Sequence, residues 1–375
     1  MKIVIASDSF KGSMSSLDVA TAASAGVVEV YPDSEIIAVN VADGGEGTVE
    51  AIVDALGGEI VKVKVSDPLG REIETYYGIA GETAILEMAA ASGLPLLKVE
   101  ERNPCLTSTY GTGEIIMDAI ARGCRQFLVG IGGSATNDAG IGMLQAMGYR
   151  FYDSNDQLIM SGNGGVLSQI ARIDDLLVSE AVKNSVFTVA CDVDTPFCGP
   201  EGAAPVFAPQ KGADAEMVKR LDEGMASLAK VIADKYAIDI VPVAGAGAAG
   251  GMGGAFRAFL GATLKKGIDM VLDAIDFDTT IQGANLIITG EGKVDFQTAK
   301  GKTAAGVLNR AKKQHIPVVA IGGCVEMCDS LVQMGFAGIY PILEEKVPLE
   351  VAMQREFAMS NVTKTVARIL SSGVC

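Results

Sequence analysis

The chain has 375 residues, 49% of them hydrophobic and 20% charged, with a formal net charge of −16 at pH 7. Against a prior of roughly 100–200 residues per domain, that length predicts two α/β-sized units, and the apolar fraction supports large cores. The acidic balance would repel a phosphate backbone, and no basic stripe carries interleaved aromatics, so nucleic acid is not an expected partner.

Residues 2–7 are a short apolar run of buried-strand type, followed by a helix that Ser16 can cap and that runs through Val30. Residues 35–41 repeat the strand pattern and 47–56 the helical one, a β-α-β-α opening that argues for a parallel sheet. From Glu59 the period changes to two: Val61, Val63 and Val65 alternate with Lys62 and Lys64, 67–70 form a turn, and Ile73, Thr75 and Tyr77 alternate again. That pattern predicts a hairpin of half-exposed strands. The middle of the chain mixes strands with helices at 114–122, 139–147 and 216–236. The parallel rhythm then returns: strand 286–289, helix 304–314, strand 318–321, helix 327–334, strand 338–341 and a last helix to Leu370. The simplest organisation is α/β, with one doubly wound parallel-sheet domain built from residues 1–75 and 285–375 and a mixed α/β domain inserted at 76–284. A cleft between them is expected.

The most membrane-like stretch, 241–264, is broken by glycines and carries Arg257, so it fails as roughly 20 consecutive apolar residues. The apolar run at 3–6 is shorter than the roughly 7–15 residues of a signal-peptide core. No membrane partner is expected. Cys105, Cys124, Cys191, Cys198, Cys324, Cys328 and Cys375 form no Cys-x-x-Cys pair and no Cys/His metal spacing. An odd count of this kind suits reduced thiols and a cytoplasmic location. His315, the sole histidine, ends a predicted helix just before Pro317, so no His-centred triad or metal site is expected and proton transfer falls to a carboxylate or lysine.

Five polar clusters each follow a predicted buried strand: Asp8-Ser9-Phe10-Lys11-Gly12-Ser13, Asp43-Gly44-Gly45-Glu46-Gly47-Thr48, residues 130–138, Asp192-Val193-Asp194, and Gly290-Glu291-Gly292-Lys293. Ordinary turn chemistry accounts for any one of them. Ligands of open α/β sheets bind at the carboxyl ends of strands, so five together point to a shared crevice. The loops Gly132-Gly133-Ser134-Ala135-Thr136-Asn137 and 44–48 offer close backbone amides beside hydroxyl and amide donors, which suits phosphate or carboxylate oxygens. Phosphoryl transfer also needs a divalent cation, positive side chains and a base. Asp192 and Asp194, two apart, share a face if their strand persists and are candidates for Mg²⁺ or for the base. Asp8, Asp43, Glu46, Glu291 and Asp295 compete for those roles, and Lys11, Lys211 and Lys293, each beside glycine, are candidate phosphate lysines.

Two motifs fail on inspection. Gly301-Lys302-Thr303 resembles the tail of a Walker A loop, but Phe296 stands where the motif needs glycine. Gly245-Ala246-Gly247-Ala248-Ala249-Gly250 fits G-x-G-x-x-G, with Asp269 near the distance of a ribose-binding acid, yet the run continues into Gly251, Gly253 and Gly254 like a close-packed or hinge segment.

Taken in chain order, the clusters at 8–13, 43–48 and 130–138, together with Gly111-Thr112-Gly113-Glu114, Pro209-Gln210-Lys211-Gly212-Ala213, residues 245–251 and Thr289-Gly290-Glu291-Gly292, closely resemble the type 1 glycerate kinases. The resemblance runs from residue 3 to about 325. It implies a flavodoxin/Rossmann-like parallel-sheet domain interrupted by a second mixed α/β domain, and ATP- and Mg²⁺-dependent phosphorylation of D-glycerate. The C2 hydroxyl is the expected acceptor, giving 2-phosphoglycerate and ADP, with 3-phosphorylation as the alternative. Lys293 stands where the family usually has arginine, and Asp194-Thr195-Pro196 replaces Asp-Asn-Pro. On this reading Lys11, Asp192 and Asp8 are the catalytic candidates, and Asp192 with Asp194 the metal ligands. Ser9, Asp43, Gly44, Gly45, Glu46, Gly47 and Thr48 hold glycerate and the transferring phosphate. Gly132, Gly133, Ser134, Asn137 and Asp138, with Lys211, hold nucleotide phosphates, and Glu291 joins the substrate-binding set. Glycerate and ATP are the expected partners, and a homodimer is compatible with such a chain. The rivals are a nicotinamide-dependent hydroxy-acid oxidoreductase using 245–250 and a non-catalytic ligand-binding module.

Overall fold

The computed structural model describes residues 1–45, 47–343, 345 and 347–373. In chain order its strands are β1 (Lys2–Ser7), β2 (Glu35–Asn40), β3 (Glu59–Ser66), β4 (Glu72–Ala80), β5 (Thr83–Glu87), β6 (Gln126–Gly130), β7 (Arg150–Tyr152), β8 (Arg172–Asp174), β9 (Val186–Ala190), β10 (Thr263–Lys265), β11 (Leu286–Val294), β12 (Val318–Val325) and β13 (Gly338–Pro341). Two compact units divide the chain: residues 1–43, 54–56 and 268–375 form one, and 44–53 and 57–267 the other.

The first unit is a parallel sheet of order β13-β12-β11-β1-β2. Its central strand β1 reads as a continuous apolar run because both faces are covered. Ile3 and Ile5 pack with Val19 and Val27 of helix Ser16–Val30 and with Val362 and Val366 of helix Arg355–Ser371. Val4 and Ala6 face the other way, toward Ile268 and Leu272 of helix Gly267–Ala274 and Val307 and Leu308 of helix Thr303–Lys313. Each fully buried isoleucine of β1 contributes about 1.5–3 kcal/mol relative to exposure. The helix predicted from Ser16 is capped by Ser15, whose hydroxyl accepts from the Asp18 amide while the Asp18 carboxylate accepts from the Ser15 amide. From β1 the chain runs to β2 on one side, and from β11 to β12 and β13 on the other. The β1/β11 pair, in register from Ile3↔Leu286 to Ser7↔Gly290, is therefore the topological switch point.

The second unit carries a mixed sheet of order β10-β9-β6-β5-β4-β3 and a separate β7-β8 ladder. β3 and β4 form the hairpin that the period-two pattern predicts, with Val61 opposite Tyr77, and with Lys62–Glu74 and Lys64–Glu72 ion pairs on the exposed face. A domain boundary at residue 75 would cut β4, which hydrogen-bonds to β5 and so commits the hairpin to this sheet. The boundary at 285 shifts as well: Ile268, Leu272, Phe277 and Ile281 bury their apolar faces with Val4 in the first unit.

Two strand ends differ from expectation in ways that matter for the site. β11 runs on to Val294, so 290–293 is ladder paired with β12, Glu291 opposite Gly322, and not a loop. β9 stops at Ala190, so Asp192 and Asp194 lie beyond the strand and do not inherit its alternation.

Candidate active site

At the switch point of the first unit, the carboxyl ends of β1 and β11 open into a cavity of about 780 Å³. Its polar end is made by Asp8, Ser9, Lys11, Asp43, Glu291 and Lys302. Asp8 leaves β1 with its backbone amide donating to the Gly290 carbonyl at 2.9 Å, which draws the β1 exit onto β11. Its Oδ1 accepts from the Ser9 amide at 2.6 Å and its Oδ2 from the Thr303 hydroxyl at 2.9 Å. Burial, and then the neighbouring Asp43 charge, raise the Asp8 carboxyl above its usual range, against the pull of Thr303, Ser9 and Lys11.

Glu291 is 6% exposed, and its Oε1 has no hydrogen-bond partner among the described residues. Burial pushes its carboxyl up to about 7, with the Thr298 hydroxyl and the Lys302 charge opposing and the Asp8 and Asp43 charges adding. A carboxyl tuned near neutrality in the wall of a cavity is what general-base chemistry uses. Lys302 immediately precedes helix Thr303–Lys313. The Gly301-Lys302-Thr303 segment that fails as a Walker loop thus still supplies a cation and the hydroxyl that holds Asp8. Neither residue stands out in the sequence once the Walker motif fails. Lys11 is exposed on the cavity wall, at the turn closed by Ser13 and Met14 amides donating to the Phe10 carbonyl. Lys293, a candidate phosphate lysine, is instead paired with Asp295 at 3.3 Å and Glu326 at 3.0 Å.

The loops of the second unit are more internally committed than the sequence suggests. Glu87 accepts from the Thr48 and Val49 amides at 2.9 and 3.3 Å, so a carboxylate of the protein already occupies the N-terminus of helix Thr48–Leu56. Gly44 has φ +88°, and a Cβ there would meet the Ala190 Cβ and the Gly267 Cα at 2.7 Å. Gly45 and Gly47 complete that turn, and Glu46 lies outside the described residues. In the 130–138 loop Gly132 and Gly133 are exposed, whereas Asn137 and Asp138 are fully buried. Asp138 is a structural anchor and not a ligand-facing group: it accepts from the Thr109 amide and hydroxyl at 2.8 and 2.7 Å and from the Gly140 and Gly142 amides at 3.0 and 3.2 Å. Asn137 donates to the Met225 sulfur at 3.2 Å. Lys211 is 1% exposed and donates to the Ser134 hydroxyl at 2.7 Å and the Thr136 carbonyl at 2.6 Å. It therefore binds the loop itself and does not reach outward, and burial pulls its ammonium down to about 7. Asp192 and Asp194 are exposed, and Asp192 Oδ1 accepts from the Gly267 amide at 2.9 Å. Among the described residues no group of three or more His, Cys, Asp or Glu side chains is placed to hold a metal ion by itself.

The glycerate kinase family's sequence profile matches residues 3–372 of this chain. The chain belongs to that family. The chain is 45% identical to a glycerate kinase of Bacillus subtilis over 99% of its own length and 97% of that protein's. It is 44% identical to the glycerate 2-kinase of Escherichia coli, covering 98% of both. A crystal structure from Salmonella typhimurium LT2, described provisionally as glycerate kinase 2, superposes with a TM-score of 0.91 at 42% identity, covering 99% of this chain and 98% of that one. As a member of the glycerate kinase family the chain is an enzyme, a kinase. The oxidoreductase motif finds no support in its backbone: residues 245–250 follow turns and not a strand, Gly250 has φ +68°, and Asp269 pairs with Arg310 at 3.2 Å. Those glycines serve close packing, since a Cβ on Gly247 would meet the Pro196 carbonyl oxygen at 2.1 Å. His315 takes the left-handed position just past helix Thr303–Lys313, with φ +58°. The six described cysteines are free, and no helix is long and apolar enough to cross a membrane, both among the described residues.

Proposed function

We propose that the protein transfers the γ-phosphoryl group of ATP to the C2 hydroxyl of D-glycerate, in the cytoplasm, and that the switch-point cavity of the first unit is where the reaction takes place. The observation that carries this reading is the buried Glu291 carboxyl, held near neutrality beside Lys302 and Lys11 at the carboxyl ends of β1 and β11. The substrate hydroxyl attacks the γ-phosphorus, the bond from that phosphorus to the β-γ bridging oxygen breaks, and Glu291 takes the hydroxyl proton. Lys11 and Lys302 neutralise phosphate charge, and Thr303 and the Ser9 amide keep Asp8 in place. The Asp8 and Asp43 carboxylates, whose mutual repulsion raises Asp8, fit a divalent cation, because hard oxygen ligands from one or two carboxylates plus substrate phosphates are what Mg²⁺ takes. Bound there, Mg²⁺ would offset charge on the phosphate oxygens. C2 as the acceptor rests on the likeness to the Escherichia coli glycerate 2-kinase. The test is ³¹P and ¹H NMR of the product formed from ATP and D-glycerate. The expected product is 2-phosphoglycerate with stoichiometric ADP; 3-phosphoglycerate overturns the acceptor assignment, and no ADP release overturns the kinase reading.

A further inference from the structure

The cavity is larger than the acceptor needs, and its two ends differ in chemistry. At about 780 Å³ it falls in the roughly 300–1,000 Å³ range of sites that enclose ligands far bigger than a three-carbon acid. Beyond Asp8, Asp43, Glu291 and the lysines the wall is mainly apolar, formed by Val325 at the end of β12, by Ile342 and Leu343 just after β13, and by Leu349, Met353 and Ala358 from the segments that follow, with the exposed Glu345 as its charged member at the rim. Glycerate is polar on every carbon and has no face to lay against such a wall. Leu349 is 74% exposed and Met353 37% exposed, so part of the apolar surface stands open to solvent. The two ends are continuous: a Cβ on Gly12 would lie 2.7 Å from Met353 Cε, so the turn that carries Lys11 abuts the apolar wall directly.

We infer that this apolar wall is the purine subsite, and that the nucleotide lies in the first unit with its base against Leu343 and Met353 and its phosphates toward Lys11 and Lys302. A purine supplies the flat apolar faces the wall needs, and the lysines stand at the end where a polyphosphate would follow. This replaces the glycine-rich loop at 130–138 as the nucleotide site, in keeping with the burial of Asn137, Asp138 and Lys211 there. It rests on the kinase reading only for the identity of the ligand as a nucleotide.

The deciding experiment is photolabelling of the wild-type full-length chain with 2-azido-ADP, with and without excess ADP, followed by peptide mapping. ADP-protected label within 324–358 is the expected result; protected label in 130–138, or no protected label in 324–358, overturns the inference. Met353→Glu supplies the second reading, with a thermal melt as the folding control. The KM for ATP and the Kd for ADP are expected to rise at least about tenfold, the equivalent of about 1.4 kcal/mol, with the KM for D-glycerate changed less than twofold. A rise confined to D-glycerate would overturn the assignment. Because labelling and ADP affinity need no turnover, an enzyme that binds ADP at this wall but phosphorylates nothing with D-glycerate would sink the proposed reaction and leave the subsite standing.

Discussion

Replacing Glu291 by glutamine keeps the side chain's shape and removes its charge, so it separates what the carboxyl does for the reaction from what it costs the fold. The carboxyl moves from an ordinary 4.5 to about 7 in the folded chain, mainly through burial. At about 1.4 kcal/mol per pKa unit, the ionised form weakens the fold by on the order of 3 kcal/mol. Because the folded value lies above the unfolded one, the stability associated with this group is complete below about pH 4.5 and is lost as pH rises through about 7. The variant should therefore gain on the wild type as pH rises. Allowing about one third for local relaxation leaves about 2 kcal/mol, or about 4–8 °C for a unit of about 150 residues. The assay is the Tm difference between Glu291→Gln and wild type, measured without ligands at pH 5 and pH 8. That difference is expected to be more positive at pH 8 by the stated amount, while kcat falls by about 10²–10⁴. A Tm difference equal at the two pH values would refute the perturbed carboxyl, and near-normal kcat in the folded variant would remove Glu291 as base.

Lys211→Met should show the opposite pH trend: the wild-type ammonium is held down to about 7 from 10.5, so its penalty on the fold builds as pH falls from 10.5 toward 7 and is complete below that, and urea denaturation should show the variant gaining on the wild type from pH 8.5 to about 7 and then levelling off to pH 6. Gly44→Ala places a Cβ within 2.7 Å of Ala190 and Gly267 at φ +88°, and is expected to cost about 1–3 kcal/mol by the same denaturation measurement; a loss under about 0.5 kcal/mol would mean that the turn relaxes freely. Asp192→Asn leaves an oxygen that can still accept from the Gly267 amide, so with Glu291 as base kcat should fall less than about tenfold. A loss of about a hundredfold or more would return the base role to Asp192.

Much of this molecule is legible in one dimension. The unbroken apolar run at 3–6 announces a strand covered on both faces, and the alternation from Val61 to Tyr77 announces a hairpin with one wet face, because side-chain period reports burial directly. The ordered glycine and acid clusters are enough to identify the family, and three of them reach the switch-point cavity, through Asp8 to Lys11 and Ser13, through Asp43, and through Glu291 to Lys293. What the chain in one dimension does not disclose is which polar groups face inward. Asp138 and Lys211 read as ligands for phosphate, and only packing shows their donors and acceptors consumed within the protein. Lys302 and Thr303 sit in a failed motif some 290 positions from Asp8, yet the β1/β11 pairing brings Thr303 within 2.9 Å of its carboxylate. Local pattern determines strand, helix and burial because those depend on neighbours along the chain. The perturbed carboxyl of Glu291 and the apolar wall beside the Lys11 turn depend on neighbours brought together across a parallel sheet, and only the tertiary structure decides them.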